Sequence, residues 1–333
     1  MRCIRVLSII DCYWIRVVVG GIPHIPGSTL QEKSKYVEDH LDYLRTSIVY
    51  EPRGSRGKIA CIITAPASQN ADLGLIFMGW GGYYDMCGGA IIGAGTVALT
   101  TGMLEAKEPF TSFVFETPAG FVPVKATIED RQVREISFQN VFSFVTLSNQ
   151  TLQLKGVKIP FDIVYAGNRF CIVNAEDIGI DVVPENTNRL AYMASEMMRS
   201  VNTGASLQPS ESKKKPVVDL LQISQRLNKE ERRYRNINIA SNGAIDLSPC
   251  GTGTCAKMAL FHSKGELNLG EVIVNEGLNG EQFKGKIVEA KESGSCQGIV
   301  PEISGTSYIT GLYHLIIDPN DPFKHGIFHA LPR

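Results

Sequence analysis

Apolar and polar positions change rhythm many times along this chain, and each change marks an element. Residues 6–10 and 15–19 are β-branched runs that predict strands. Pro23-His24-Ile25-Pro26-Gly27 follows as a turn. Ser28 or Thr29 is placed to cap a helix through Glu32, Tyr36 and Leu41 to Leu44, whose apolar residues recur at helical spacing. Residues 51–54 read as a loop, 59–64 and 73–78 as strands, and 79–84 as a glycine-rich approach to Cys87. Residues 90–101 are apolar all round, as in a helix enclosed within a domain. Successive strands are predicted over 110–145, and another strand region over 163–173. Residues 185–202 form a helix candidate. Residues 207–215, polar with a proline and three lysines, suit a surface loop. The charge run 228–235 is read as a solvated helix face, 237–245 as a strand and 256–265 as a helix. Strands dominate 269–317, and 318–322 is turn-rich.

This pattern carries an internal repeat. Met86-Cys87-Gly88-Gly89-Ala90 and Ser248-Pro249-Cys250-Gly251-Thr252-Gly253-Thr254 each follow strands and open a helix of small residues, about half the chain apart. The expected fold is therefore α/β (α+β): two pseudo-symmetric domains, each a β-barrel-like set of strands around one central helix. A length of 333 residues also favours two cores over one.

Composition narrows the function. The chain is 44% hydrophobic and 20% charged, ordinary for a globular protein. A net charge of −1 and the lack of a basic stripe argue against nucleic acid as partner. No apolar run is long enough to cross a bilayer, so no membrane partner is expected. Residues 1–21 are apolar, but Asp11 and Arg16 interrupt them and no secretory cleavage pattern is present. Eight cysteines in a chain of this length do not make a disulfide scaffold. Reduced thiols in a cytoplasmic enzyme are the expectation.

Two of those cysteines carry the candidate chemistry. Backbone N–H groups at a helix start lack intrahelical partners and bear partial positive charge. They favour thiolate on a cysteine there, and with glycine allowing close approach they can hold a carboxylate. Two such starts facing one substrate would aim a sulfur at each face of its α-carbon. A thiolate would remove the α-proton and the opposite thiol would return one, inverting configuration without cofactor or metal. Burial alone explains Cys3, Cys12, Cys61, Cys171, Cys255 and Cys296, because cysteine often only fills space. Gly251-x-Gly253-x-x-Ala256 also fits a dinucleotide fingerprint, but no convincing acidic partner follows downstream. Cys250, Cys255 and His262 lack zinc spacing.

Asp85-Met86-Cys87-Gly88-Gly89 and Asp246-Leu247-Ser248-Pro249-Cys250-Gly251-Thr252-Gly253-Thr254 resemble the two signature motifs of the proline racemase family, which includes 4-hydroxyproline 2-epimerases and trans-3-hydroxyproline dehydratases. Ile25-Pro26-Gly27, Tyr165-Ala166-Gly167-Asn168 and Asp318-Pro319-Asn320-Asp321-Pro322-Phe323 support it. The resemblance spans roughly residues 6–327 and implies a diaminopimelate-epimerase-like fold. It places residues 1–134 plus 311–333 in an N-terminal domain carrying Cys87, and 135–310 in a C-terminal domain carrying Cys250. It makes Cys87 and Cys250 the acid–base pair acting on proline, hydroxyproline or a related amino acid. Gly88, Gly251 and Thr252 would hold the substrate carboxylate and Asp246 its amine, with a turn role for Asp246 as the competing reading. A homodimer is the assembly considered.

The chain also departs from the family pattern. Gly89 stands at a substrate-contacting position that is usually histidine, and Leu247 replaces an arginine. A turn normally present near residue 12 is missing. These changes predict a roomier pocket. Dehydratases typically carry threonine at the position of Cys250, so a second thiol favours racemase or epimerase over a lyase using Cys87 alone. A non-catalytic amino-acid binder is the third reading.

Overall fold

The β-branched runs near the N-terminus form an antiparallel pair, β1 (Arg5–Cys12) and β2 (Ile15–Gly20). They belong to a computed structural model describing residues 5–12, 15–55, 57–154, 156–204, 218–241, 243–294 and 296–327. The chain divides into two compact units, Met1–Gln139 with Ser304–Arg333, and Asn140–Ile303.

In the first unit, β2 is parallel to β3 (Ile59–Thr64), so the intervening chain must cross over. It does so through α1 (Leu30–His40) and α2 (Asp42–Val49). Thr29 caps α1, its Oγ1 accepting the Glu32 N–H at 3.1 Å, while Glu32 Oε2 accepts the Ser28 N–H at 2.7 Å. This is a variant of the capping box in which the glutamate reaches the residue before the cap. The single helix expected to reach Leu44 is in fact two. Leu41 leaves helical geometry at φ −128° and ψ 17°, and Asp42 restarts the helix paired with Arg45 at 2.7 Å. β3 continues antiparallel to β4 (Leu73–Gly79), which turns through β5 (Gly82–Tyr84) into α3 (Gly88–Thr100). A meander of β6 (Phe110–Thr117), β7 (Gly120–Glu129) and β8 (Gln132–Gln139) completes this run.

Strand alternation decides what each face meets. Ala60, Ile62, Ile76 and Met78 join Leu30, Val37, Leu44 and Ile48 in a core beneath α1 and α2. The residues between them, Cys61, Leu75 and Phe77, are fully buried on the opposite face, where α3 packs against β2, β3 and β8. Residues 90–99 of α3 are buried on every side, as an apolar helix requires.

The second unit repeats the plan. β9 (Ser143–Leu154), β10 (Val157–Tyr165) and β11 (Arg169–Asn174) are antiparallel neighbours. The chain then crosses through α4 (Ala175–Ile178) and α5 (Thr187–Gly204) to β12 (Leu220–Asn228), parallel to β11. β13 (Arg233–Ala240) and β14 (Ile245–Asp246) lead into α6 (Gly251–Ser263), and β15 (Val272–Glu276), β16 (Gln282–Ser293) and β17 (Cys296–Gly305) follow. β18 (Ile309–Ile317) returns to pair with β1. Each unit thus surrounds one buried helix with strands, the expected architecture.

The charge run 228–235 is not a helix face. It is the hairpin joining β12 to β13, with Arg232 at φ 48° in the turn. Its arginines are spent on ion pairs: Arg232 with Glu271, Arg233 and Arg235 with Glu276. The loop expected over 207–215 lies outside the described residues. Among the described residues no helix is long and apolar enough to cross a membrane.

Candidate active site

Cys87 is the residue at which the β4–β5 hairpin becomes α3. It holds extended backbone, φ −146° and ψ 105°, and its carbonyl accepts the Ile91 N–H at 3.0 Å. The N–H groups of Gly88, Gly89 and Ala90 are therefore the ones α3 leaves without an intrahelical acceptor. Cys87 is half-buried and Gly88 buried, and no acidic residue occupies the first turn. A Cβ built on Gly89 would meet only Ile15 Cδ1, at 3.7 Å. Position 89 therefore opens onto space. Among the described residues two further thiols lie in this unit. Burial pushes Cys61 well above the ordinary thiol range, and negative charge on Cys87 pushes it further. Burial likewise raises Cys12 to about 11. Both stay neutral thiols at physiological pH.

Cys250 begins α6 in a rarer conformation, φ 57° and ψ 102°. Its Sγ accepts the Gly253 N–H at 3.4 Å and lies 3.9 Å from Thr252 Oγ1. The sulfur caps its own helix, so Thr252, buried at 4% exposure, is not the cap. The approach loop is bonded residue by residue. Asp246 Oδ1 accepts the Ser248 N–H at 2.9 Å, and Ser248 Oγ accepts the Cys250 N–H at 3.1 Å. Asp246 thus does form the turn that was the competing reading of its role. Desolvation pushes its carboxyl above the usual range, against the pull of its hydrogen bonds to Ser248 and Cys250.

Beneath this loop the second unit differs from the first. The outward residues Leu221, Ile223, Ile237 and Ile239 pack under α5. The intervening Gln222, Asn236 and Asn238 are fully buried and polar. Gln222 Nε2 donates to Asn238 Oδ1 at 2.9 Å, while Gln222 Oε1 and Asn238 Nδ2 find no partner among the described residues. A Cβ on Gly253 would collide with Gln222 Nε2 and stand 3.0 Å from both Asn238 Oδ1 and Cys250 Sγ. Only glycine at 253 lets this amide pair lie against the sulfur's own helix turn. Buried polar atoms left unsatisfied beside a thiol are a common mark of a functional site.

Lys257, also on α6, is fully buried. Its Nζ donates to Asn275 Oδ1 at 2.7 Å and Asn236 Oδ1 at 3.3 Å, and lies 5.0 Å from the Tyr234 ring centroid. Desolvation lowers its ammonium to about 7, while negative charge at Cys250 raises it.

The structure therefore gathers Asp246, Cys250, Gly251 and Thr252 in the second unit, and Cys87, Gly88 and Gly89 at the matching helix start of the first. Cys12, Cys61, Cys171 and Cys255 are fully buried, as a space-filling role requires. Cys296 is not; it is half-exposed at the start of β17, where the strand leaves the core. Cys3 lies outside the described residues. Sequence reasoning missed Gln222, Asn236, Asn238, Lys257 and Asn275. The available signals were a lone lysine inside the otherwise small and apolar segment 251–260, and Asn236 and Asn238 alternating through a strand. Among the described residues no group of three or more His, Cys, Asp or Glu side chains is placed to hold a metal ion.

Each unit thus carries a helix headed by a cysteine and a glycine inside a shell of strands, the architecture of an epimerase-like α/β fold. Residues 11–328 match the family model described as Proline racemase, and the chain belongs to that family. It is 42% identical over 313 residues to the proline racemase of Acetoanaerobium sticklandii, covering 93% of each chain. It is 32% identical over 331 residues to the trans-3-hydroxy-L-proline dehydratase of Bacillus cereus, covering 98% of this chain and 99% of that one. In fold it matches a hydroxyproline epimerase from Agrobacterium vitis, crystallised with trans-4-hydroxy-L-proline, at a TM-score of 0.90. That match covers 99% of this chain and 97% of the other at 24% identity.

Proposed function

We propose that this chain is an isomerase that inverts configuration at the α-carbon of proline, a hydroxyproline or a related amino acid, using Cys87 and Cys250 as a thiol–thiolate pair. The observation that carries the reading is that in each unit one cysteine heads a buried helix whose first residue is glycine. One sulfur, as thiolate, takes the α-proton as the Cα–H bond breaks. The electron pair left behind is delocalised into the carboxylate, which the N–H groups of Gly88, Gly89, Gly251 and Thr252 hold. The other thiol then gives its proton to the opposite face, and the two sulfurs finish with exchanged protonation states. Asp246 is assigned to the substrate amine, whose positive charge would draw its carboxyl back toward ionisation. Both proton transfers use groups of the protein itself, so the reading needs no cofactor. A cytoplasmic setting would keep both thiols reduced.

Dehydration of trans-3-hydroxyproline with Cys87 as base is the competing reading, supported by the similarity to a dehydratase. Elimination needs no acid on the opposite face, so a thiol at position 250 favours inversion. The test is a chirality-resolved screen of L- and D-proline, both 4-hydroxyproline epimers and trans-3-hydroxy-L-proline. Appearance of the opposite configuration supports the proposal. A cyclic imine formed from 3-hydroxyproline without inversion establishes the lyase. Calorimetric binding without turnover, unchanged in Cys87→Ser and Cys250→Ser, establishes a binder.

A further inference from the structure

A lysine with no surface and no carboxylate bonded to it among the described residues is costly, and such groups persist where their charge is used. Lys257 lies seven positions beyond Cys250, two turns along α6, and so shares its side of the helix. Its Nζ faces the side-chain oxygens of Asn236 and Asn275. That contact fixes which way both amides point, because a flipped amide would turn its NH₂ toward an ammonium. With the oxygens so held, both Nδ2 atoms reach the Pro249 carbonyl, at 3.2 Å from Asn236 and 2.8 Å from Asn275. Asn275 Nδ2 also lies 2.8 Å from Thr254 Oγ1, which donates to the Cys250 carbonyl at 2.8 Å. The carbonyls of Pro249 and Cys250 are thus both tied back to the lysine.

We infer that Lys257 is a positioning residue and the buried counter-charge of the Cys250 thiolate, holding the loop that aims the sulfur and favouring its ionised form. This rests on the proposed reading of Cys250 as an acid–base thiol. The charge at Cys250 favours the ammonium, and linkage makes the effect mutual. The Asp246 carboxyl, which desolvation pushes above the usual range, is hydrogen-bonded to Ser248 and to Cys250 itself, and the other charges near α6 are already engaged or remote. On β13, Arg233 and Arg235 pair with Glu276 of β15, leaving the Tyr234 ring as that strand's titratable group facing Nζ. On β10, Asp162 pairs with Lys264 at 2.7 Å, and Lys158 is exposed. β11 offers Cys171, kept neutral by burial, and the partly exposed Arg169. On β16, Lys284, Lys286, Glu289, Lys291 and Glu292 are exposed, and β9 has no charged side chain.

The test reads sulfur reactivity rather than turnover, so it holds whatever the substrate proves to be. Alkylation of Cys250 by iodoacetamide, followed by mass spectrometry across pH in the full chain, is compared between the parent and Lys257→Met. Alkylation of Cys87 in the same sample reports retained folding. The inference predicts alkylation of Cys250 slowed about tenfold near neutrality, equivalent to about one pH unit in its midpoint, with Cys87 unchanged. An unshifted Cys250 profile in a folded Lys257→Met protein overturns it. Should Lys257→Met fail to fold, ¹³C NMR of the lysine ε-methylenes in the parent and in Cys250→Ser decides. The lysine titrating near neutrality should move to lower pH once the thiol is gone, and an unmoved midpoint rejects the counter-charge.

Discussion

Cys250 holds a backbone conformation, φ 57°, that side chains with a Cβ rarely adopt. The polar ties on the Pro249 and Cys250 carbonyls keep it there, so the site stores strain that glycine would release. Cys250→Gly should therefore be more stable than Cys250→Ala by about 1–2 kcal/mol in denaturant unfolding, although neither supports turnover. Equal stabilities would mean the conformation carries no strain. Two other glycines make opposite predictions. Gly253→Ala drives a methyl group into the Gln222–Asn238 pair and the sulfur, and should destabilise by about 1–3 kcal/mol. Gly89→Ala meets only Ile15 at 3.7 Å and should hold or raise stability, by up to about 1 kcal/mol, since alanine is the better helix former. Chemical denaturation of the pair checks both signs.

Elements were legible where their period was clean and opaque where tertiary partners overrode it. Residues 59–64 and 73–78 are short, nearly continuous apolar runs of strand length, and α3 is apolar throughout, so both were read correctly from pattern. The 228–235 hairpin was hidden because its charges look solvated in sequence, whereas Glu276 from a distant strand neutralises two of its arginines. The polar floor under α6 was hidden for a similar reason. Asn236, Asn238 and Gln222 sit at positions where an inward-facing strand residue would ordinarily be apolar, and only the buried lysine explains part of that choice. Glu276 supplies an element-scale prediction. Desolvation acts to raise its carboxyl, but hydrogen bonds and charge from Arg233 and Arg235 outweigh it and hold the group below the usual range. Its contribution to stability is therefore full above the unfolded glutamate value and fades as pH falls through the lower folded value. Glu276→Gln should be destabilised at pH 7, and its deficit should shrink below about pH 4. A deficit constant with pH would assign the effect to packing.

At the scale of the whole molecule, the repeat is a division of labour. Both units use a strand shell to enclose a helix headed by a cysteine, but one encloses an apolar helix and the other a helix braced by a polar network around Lys257. Two starts of unequal electrostatics suit a reaction in which one sulfur must be thiolate while the other is thiol. The first glycine-cysteine motif and its partner were readable as a pair from sequence. The network that distinguishes them was not, because it is assembled from β13, β15, α6 and the loop before α6. Proton exchange at one carbon is the event on which the proposed inversion depends. Incubation of each enantiomer of proline and of 4-hydroxyproline in D₂O, followed by NMR and chiral chromatography, tests it directly. Deuterium should enter the α-position together with inversion, and either Cys87→Ser or Cys250→Ser should slow inversion by about 10²–10⁴-fold. Inversion that survives loss of either sulfur, or no α-exchange with any of these amino acids in the parent protein, would contradict the account.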